Sequence, residues 1–205
     1  MKVRGDYVRA QTALREAAEI FDELGDRSGA AWSINQQGDI AREQGDVAAA
    51  RNLYQRALSA FREAGDRWGS ARSLADLGQI YCAQGDFVAA HAAYRDALEG
   101  FADLEHRRGI ARVLEGFASL AVAQGHLERA LKLAGAAAHL RRVISAPLPQ
   151  AEQLKLEQCL LPARESLSEA QTEKAWAGGS AMSLAQAIQY CLEEPRPATS
   201  LSSDQ

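Results

Sequence analysis

The dipeptide Gly-Asp returns every 40 residues, at Gly5-Asp6, Gly45-Asp46 and Gly85-Asp86, with Gly125-His126 as a fourth, altered copy. A second marker keeps the same spacing: Asp26-Arg27-Ser28-Gly29, Asp66-Arg67-Trp68-Gly69 and His106-Arg107-Arg108-Gly109. Self-similarity at a fixed period of this length belongs to stacked supersecondary units, each too small to bury its own apolar face. Such arrays present an extended surface to another molecule, so binding is expected before catalysis.

Each period holds two amphipathic segments. Over 27–44, Ala30, Ile34, Gly38 and Ala41 follow helical spacing; over 47–64, so do Ala50, Leu53, Tyr54, Ala57, Leu58 and Phe61. A glycine at each boundary can take the left-handed conformation that ends a helix, and the following Asp can accept from the free amides that begin the next. The repeated Asp residues are therefore read as caps, not metal ligands. The overlay continues through Ala10, Ala50, Ala90 and Ala130, through Ala17, Ala57, Ala97 and Ala137, and through Phe21, Phe61 and Phe101. Tyr54 and Tyr94 sit on the apolar face and are expected in the core, with the hydroxyl at its edge.

Bulk properties bound the rest. The 205 residues carry a net charge of −4 with both signs interspersed, unlike the basic stripe of a nucleic-acid binder. Three scattered cysteines (Cys82, Cys159, Cys191) form neither a disulfide framework nor a zinc pattern. The N-terminus lacks an apolar signal region, and no apolar run approaches the ~20 residues of a membrane span. A cytoplasmic location is the resulting expectation. There is no nucleophile–His–Asp set, no activating His near Cys82 and no phosphate-binding Gly-x-x-x-x-Gly-Lys-Ser/Thr element, so neither an enzyme nor a cofactor or metal is expected.

Leu77-Gly78-Gln79-Ile80-Tyr81, followed by Gly85, Ala90, Tyr94 and Ala97, resembles the tetratricopeptide repeat almost position by position. Gly38, Gly45, Ala50, Tyr54 and Ala57 follow the same pattern, with Ala41 in the aromatic position; a third unit departs from it at Ala118, Ala121 and Ala134. The resemblance covers 1–144 and implies an all-α, right-handed α-solenoid of antiparallel helix pairs, about three and a half units of 40 residues. A second series, Leu131 to Ala137, Ala146 to Pro149, Lys174 to Gly179 and Ala181 to Ala187, is similar to the end of the repeat region in large bacterial signalling ATPases. Those proteins join the array to a LuxR-type helix-turn-helix, a cyclase or a kinase. The likeness implies a sensor or scaffold region, whose partners include other domains of a larger parent chain.

The first helix, 6–24, carries Ala10, Leu14, Ala17 and Phe21 with one neighbouring repeat to cover them. The array is expected to continue upstream, or this face to close by self-association. Beyond Pro147 and Pro149, a helical cap is expected over 145–194: a helix near 150–168 burying Leu154, Leu156, Leu160 and Leu161, a short one over 169–177 ended by Gly178-Gly179, and a last one opened by the capping box Ser183-Leu184-Ala185-Gln186. Residues 195–205 read as a disordered tail.

In the family the first helix of each pair lines a concave groove. The corresponding face carries Trp32, Asn35, Asp39 and Arg42, then Arg72 and Gln79 beside Ala75 and Cys82, then Arg112, Glu115 and Ser119 beside Val122. Trp32, Arg72 and Arg112 are expected in a row able to grip an extended peptide or a carboxylate through planar guanidinium forks. The alternative is that the arginines pair with Asp76 or Glu115. On the first reading, Arg72→Glu with Arg112→Glu weakens partner binding and leaves helicity intact. The alternatives to a peptide groove are a free-standing homodimeric adaptor and a sensor for a sugar or peptide ligand. Arg107-Arg108 and Arg141-Arg142 are read as solvated pairs at helix ends.

Overall fold

The computed structural model describes residues 2–193. They form ten helices and no strand: α1 (Lys2–Glu23), α2 (Arg27–Glu43), α3 (Val47–Ala64), α4 (Arg67–Ala83), α5 (Phe87–Asp103), α6 (Arg107–Ala123), α7 (Leu127–Val143), α8 (Gln150–Ser166), α9 (Glu169–Ser180) and α10 (Leu184–Leu192). The chain divides into two compact units, Met1–Glu105 and His106–Gln205. The expected tail lies outside the described residues.

In the first unit each helix packs on the next, α1 on α2 through α4 on α5. The turns carry the expected chemistry. Gly25, Gly45, Gly65 and Gly85 have φ between 72° and 81°. The carboxylates of Asp26, Asp46, Asp66 and Asp86 accept from the backbone N–H three residues on, at 2.7–3.0 Å. A cap of this kind is worth ~1 kcal/mol. The exception is Gly5-Asp6, which lies inside α1 and not at its start. The pair marks a boundary where one helix must end and another begin, and among the described residues no helix precedes it.

The core of this unit is built from glycine seats. Tyr54 and Tyr94 are almost wholly buried, and a Cβ on Gly38 or Gly78 would sit 2.7 or 2.6 Å from their rings. The glycine of one helix thus fixes the depth of the ring from the next. In the second unit the same two columns hold Ala118 and Ala134, both buried. The seat residue gains a methyl and the ring is reduced to one, so the two columns change together.

Two turns lack the glycine. Glu105 and Ser145, in the column of Gly25 and Gly65, adopt φ of 51° and 52°. A side chain in this region is strained by ~1–2 kcal/mol. Glu105→Gly and Ser145→Gly are each expected to raise stability by about 1 kcal/mol, measured by urea unfolding; unchanged midpoints would contradict the strained turns.

His106 replaces Asp as cap: its Nδ1 accepts from Gly109 N at 3.0 Å. Burial, then the charge of Arg108, pushes its pKa below the ordinary histidine value. The unfolded chain therefore binds the proton more readily. The contribution is present above about pH 6.5 and is lost as pH falls through the depressed folded value. In His106→Asp, the loss of stability between about pH 7.5 and about pH 5.5 should shrink; an unchanged pH dependence in urea titrations would exclude the imidazole cap.

In the second unit, α6 packs on α7, α7 on α9, and α8 and α10 each on α6 and α7. Three expectations are corrected here. α9 does not stop at Gly178-Gly179 but runs through both to Ser180. The reason is proximity: a Cβ on Gly179 would overlap the backbone carbonyl of Lys132, and one on Gly135 that of Trp176. These glycines let α7 and α9 touch backbone to backbone. In α8, Leu160 is buried but Leu154 and Leu161 are about half exposed, because residues seven apart share the face opposite Leu160 and Ala163. Arg141 is no solvated helix end. It forms a largely buried ion pair with Glu115, its Nη2 donating to Oε2 at 2.9 Å.

The capping box at Ser183 and Gln186 is present, and Ser168 and Gln171 form a second. Arg129 of α7 fastens α10: one terminal nitrogen donates to the carbonyls of Tyr190, Cys191 and Glu193 at 2.6–3.2 Å. Its guanidinium also lies 4.5 Å from the Tyr190 ring centre.

Candidate peptide-binding face

The helix periodicity of α2 and α4 brings part of the expected set together within the first unit. Asp39 is shared by two arginines: Arg42 Nη2 donates to Oδ1 at 3.3 Å and Arg72 Nη2 to Oδ2 at 3.2 Å. The Tyr54 hydroxyl donates to Asp39 Oδ1 at 2.9 Å and accepts from Arg42 Nε at 3.2 Å. Burial, then the charges of Asp76 and Asp39, pushes the Tyr54 pKa well up, so the group remains a donor at neutral pH. Arg72 reaches further in, its Nε donating to Asp76 at 2.9 Å. Asp76 is fully buried.

Asn35 does not join this surface. It is 1% exposed, and its amide donates to Ser73 Oγ at 3.1 Å and Asp76 Oδ2 at 3.4 Å. It ties α2 to α4. Arg72 sits at the rim, with one nitrogen toward Asp39 and another toward buried Asp76. The alternative pairing with Asp76 is thus the one present, and an Arg72→Glu change acts on the fold before it acts on a ligand. Gln79 is half-buried on α4.

Trp32 is anchored. Its Nε1 donates to Asp66 Oδ2 at 3.3 Å, and the same carboxylate oxygen accepts from Ser28 Oγ at 2.5 Å. Its ring packs against buried Phe61, centroids 4.8 Å apart, and against Trp68, 4.5 Å apart. Trp68 is 38% exposed. It stands one helical turn before Arg72 on α4, so the aromatic pair and the Asp39–Arg72 ion pair are neighbours. Sequence reading passed over Trp68, which was visible as an aromatic in a column otherwise filled by Ser28 and Arg108.

The remaining members lie in the second unit. Glu115 is held by Arg141, Ser119 Oγ donates to the Glu115 carbonyl at 3.1 Å, and Arg112 is half-buried on α6. Among the described residues no three His, Cys, Asp or Glu side chains group to hold a metal ion. Burial pushes the Cys191 thiol up to about 12, which keeps it in the unreactive protonated form at neutral pH. No described helix is long and apolar enough to cross a membrane.

No curated protein matches the chain in sequence. The tetratricopeptide repeat family does match, over residues 2–63 and again over residues 30–103. The second match ends at the last residue of α5, while α6 and α7 continue the 40-residue spacing beyond it. Repeats of this kind suggest a module for protein–protein interaction. Glycine-seated tyrosines, Asp-capped paired helices and the family match agree: residues 2–103 are tetratricopeptide repeats.

Proposed function

We propose that the chain acts by binding, not by catalysis, and that the α2–α4 face of its first unit takes an extended peptide from a protein partner. The observation that carries this reading is the Trp32–Trp68 pair. A half-exposed aromatic stack held rigid by Asp66 and Phe61 has the character of an interface hot spot: large contact area with little side-chain freedom left to lose. The neighbouring Arg42–Asp39–Arg72 cluster offers donors and acceptors of both signs for the backbone and polar side chains of such a peptide.

Trp68→Ser separates binding from folding, since Ser28 fills the same column of the preceding unit. Peptides selected from a random library against the intact chain should bind Trp68→Ser at least about tenfold more weakly, with the melting temperature nearly kept. Equal affinity for the two forms would refute the assignment.

The resemblance of 131–187 to the end of the repeat region in bacterial signalling ATPases favours a sensor or scaffold role within a regulatory assembly. One observation favours self-association as well. Leu14, Ala17 and Phe21 of α1 are only half-buried, whereas their counterparts Tyr54, Ala57 and Phe61 are closed off from solvent. Light scattering across micromolar concentrations decides this second reading: a persistent dimer supports it and a monomer removes it.

A further inference from the structure

Within the second unit, α6, α7 and α10 enclose a cleft of about 170 Å³. Leu114, Leu140, Leu184 and Ala187 form its apolar wall, and Arg107 and His139 line it too. No carboxylate does. Arg107 is exposed at the start of α6 and has no ion-pair partner among the described residues. His139 accepts from Arg142 Nη2 through Nδ1, at 3.0 Å. An arginine can only donate, so the ring carries its hydrogen on Nε2 and supplies a second N–H donor.

We propose that this cleft binds a small monocarboxylate whose apolar part is about the size of a phenyl ring. Volume sets the body: an apolar cavity of ~150 Å³ accommodates benzene. Charge sets the head: one uncompensated guanidinium matches one carboxylate, to which its planar fork donates two parallel hydrogen bonds. A free acid fits better than a peptide end. Beyond their first turns, the main-chain groups of α6, α7 and α10 are bonded within their helices, so the cleft has no strand edge to hold an extended backbone. The site is separate from the α2–α4 face and does not rest on the peptide reading.

The test titrates the intact, isotope-labelled chain with sodium phenylacetate and, separately, with 2-phenylacetamide, its neutral isostere. Phenylacetate should shift the amide signals of residues around Arg107, Leu114 and Ala187 and saturate in the millimolar range, with the amide at least about tenfold weaker. Arg107→Gln, an exposed position, should reduce phenylacetate binding to the level of the amide. Ala187→Leu should fill the cleft and abolish both; should that variant not fold, Arg107→Gln alone decides. The proposal is overturned by any of four results: no shift at about 10 mM phenylacetate, equal binding of acid and amide, affinity unchanged in Arg107→Gln, or capture of a phenylalanine-terminated peptide without capture of the free acid.

Discussion

Gly179→Ala should undock α9 from α7 and lower stability by about 3 kcal/mol, the upper end of what overpacking costs. The added Cβ meets the Lys132 carbonyl and the backbone around it, not the tip of a flexible side chain. Relief requires α9 to move away as a body. Ala175 and Trp176 would then leave the apolar cluster they share with Leu131 and Ala163. The adjacent residue supplies the control. A Cβ on Gly178 has only Lys132 Cε near it, at 3.9 Å, so Gly178→Ala should be neutral or stabilising by up to ~1 kcal/mol through helix propensity. Urea unfolding of the two variants, with Trp176 fluorescence as the local probe, gives the comparison. Equal stability of Gly178→Ala and Gly179→Ala would show that the two helices do not meet backbone to backbone.

The second large effect is at Arg72. Arg72→Met takes one guanidinium away from the fully buried carboxylate of Asp76. Removing one member of a buried pair costs ~3–5 kcal/mol. Arg72 itself is 24% exposed, so the lower end is expected, about 3 kcal/mol. Asn35 donates to Asp76 at a longer 3.4 Å and does not replace a guanidinium. The double variant Arg72→Met with Asp76→Leu should recover part of the loss, since it removes both members of this ion pair. A single variant costing under about 1 kcal/mol would mean that the Asp76 carboxylate does not depend on Arg72.

Much of the fold was legible because each unit repeats its own evidence. Four glycines and four capping aspartates at fixed spacing in the first unit identify the turns in a way that one copy would not. The misreadings fall where the repeat breaks down. Gly178-Gly179 looks like a helix stop because glycine ends helices more often than it brings two together. Deciding between the two needs the partner backbone, which is contributed 47 residues earlier by Lys132. Ser168-Glu169-Ala170-Gln171 has the same capping-box spacing as Ser183-Leu184-Ala185-Gln186, and it opens α9. In α8 the leucines fall on two faces, and only the face of Leu160 is buried.

The candidate face was readable as positions and not as partners. Columns place Asp39 and Arg72 on the first helices of successive pairs, but which carboxylate a guanidinium chooses depends on burial. Asp76 is one turn from Arg72 in sequence and wholly enclosed, so it holds the arginine inward and leaves Trp68, backed by half-buried Trp32, as the exposed feature. That distribution makes Trp68, and not Arg72, the residue through which binding can be probed without loss of the fold.

The most direct measurement is amide chemical-shift mapping of library-selected peptides on the intact, isotope-labelled chain. The account predicts perturbations concentrated on α2 and α4 around Trp32, Asp39, Trp68 and Arg72, and their loss in Trp68→Ser. Perturbations confined to other helices, or unaltered by Trp68→Ser, would contradict it.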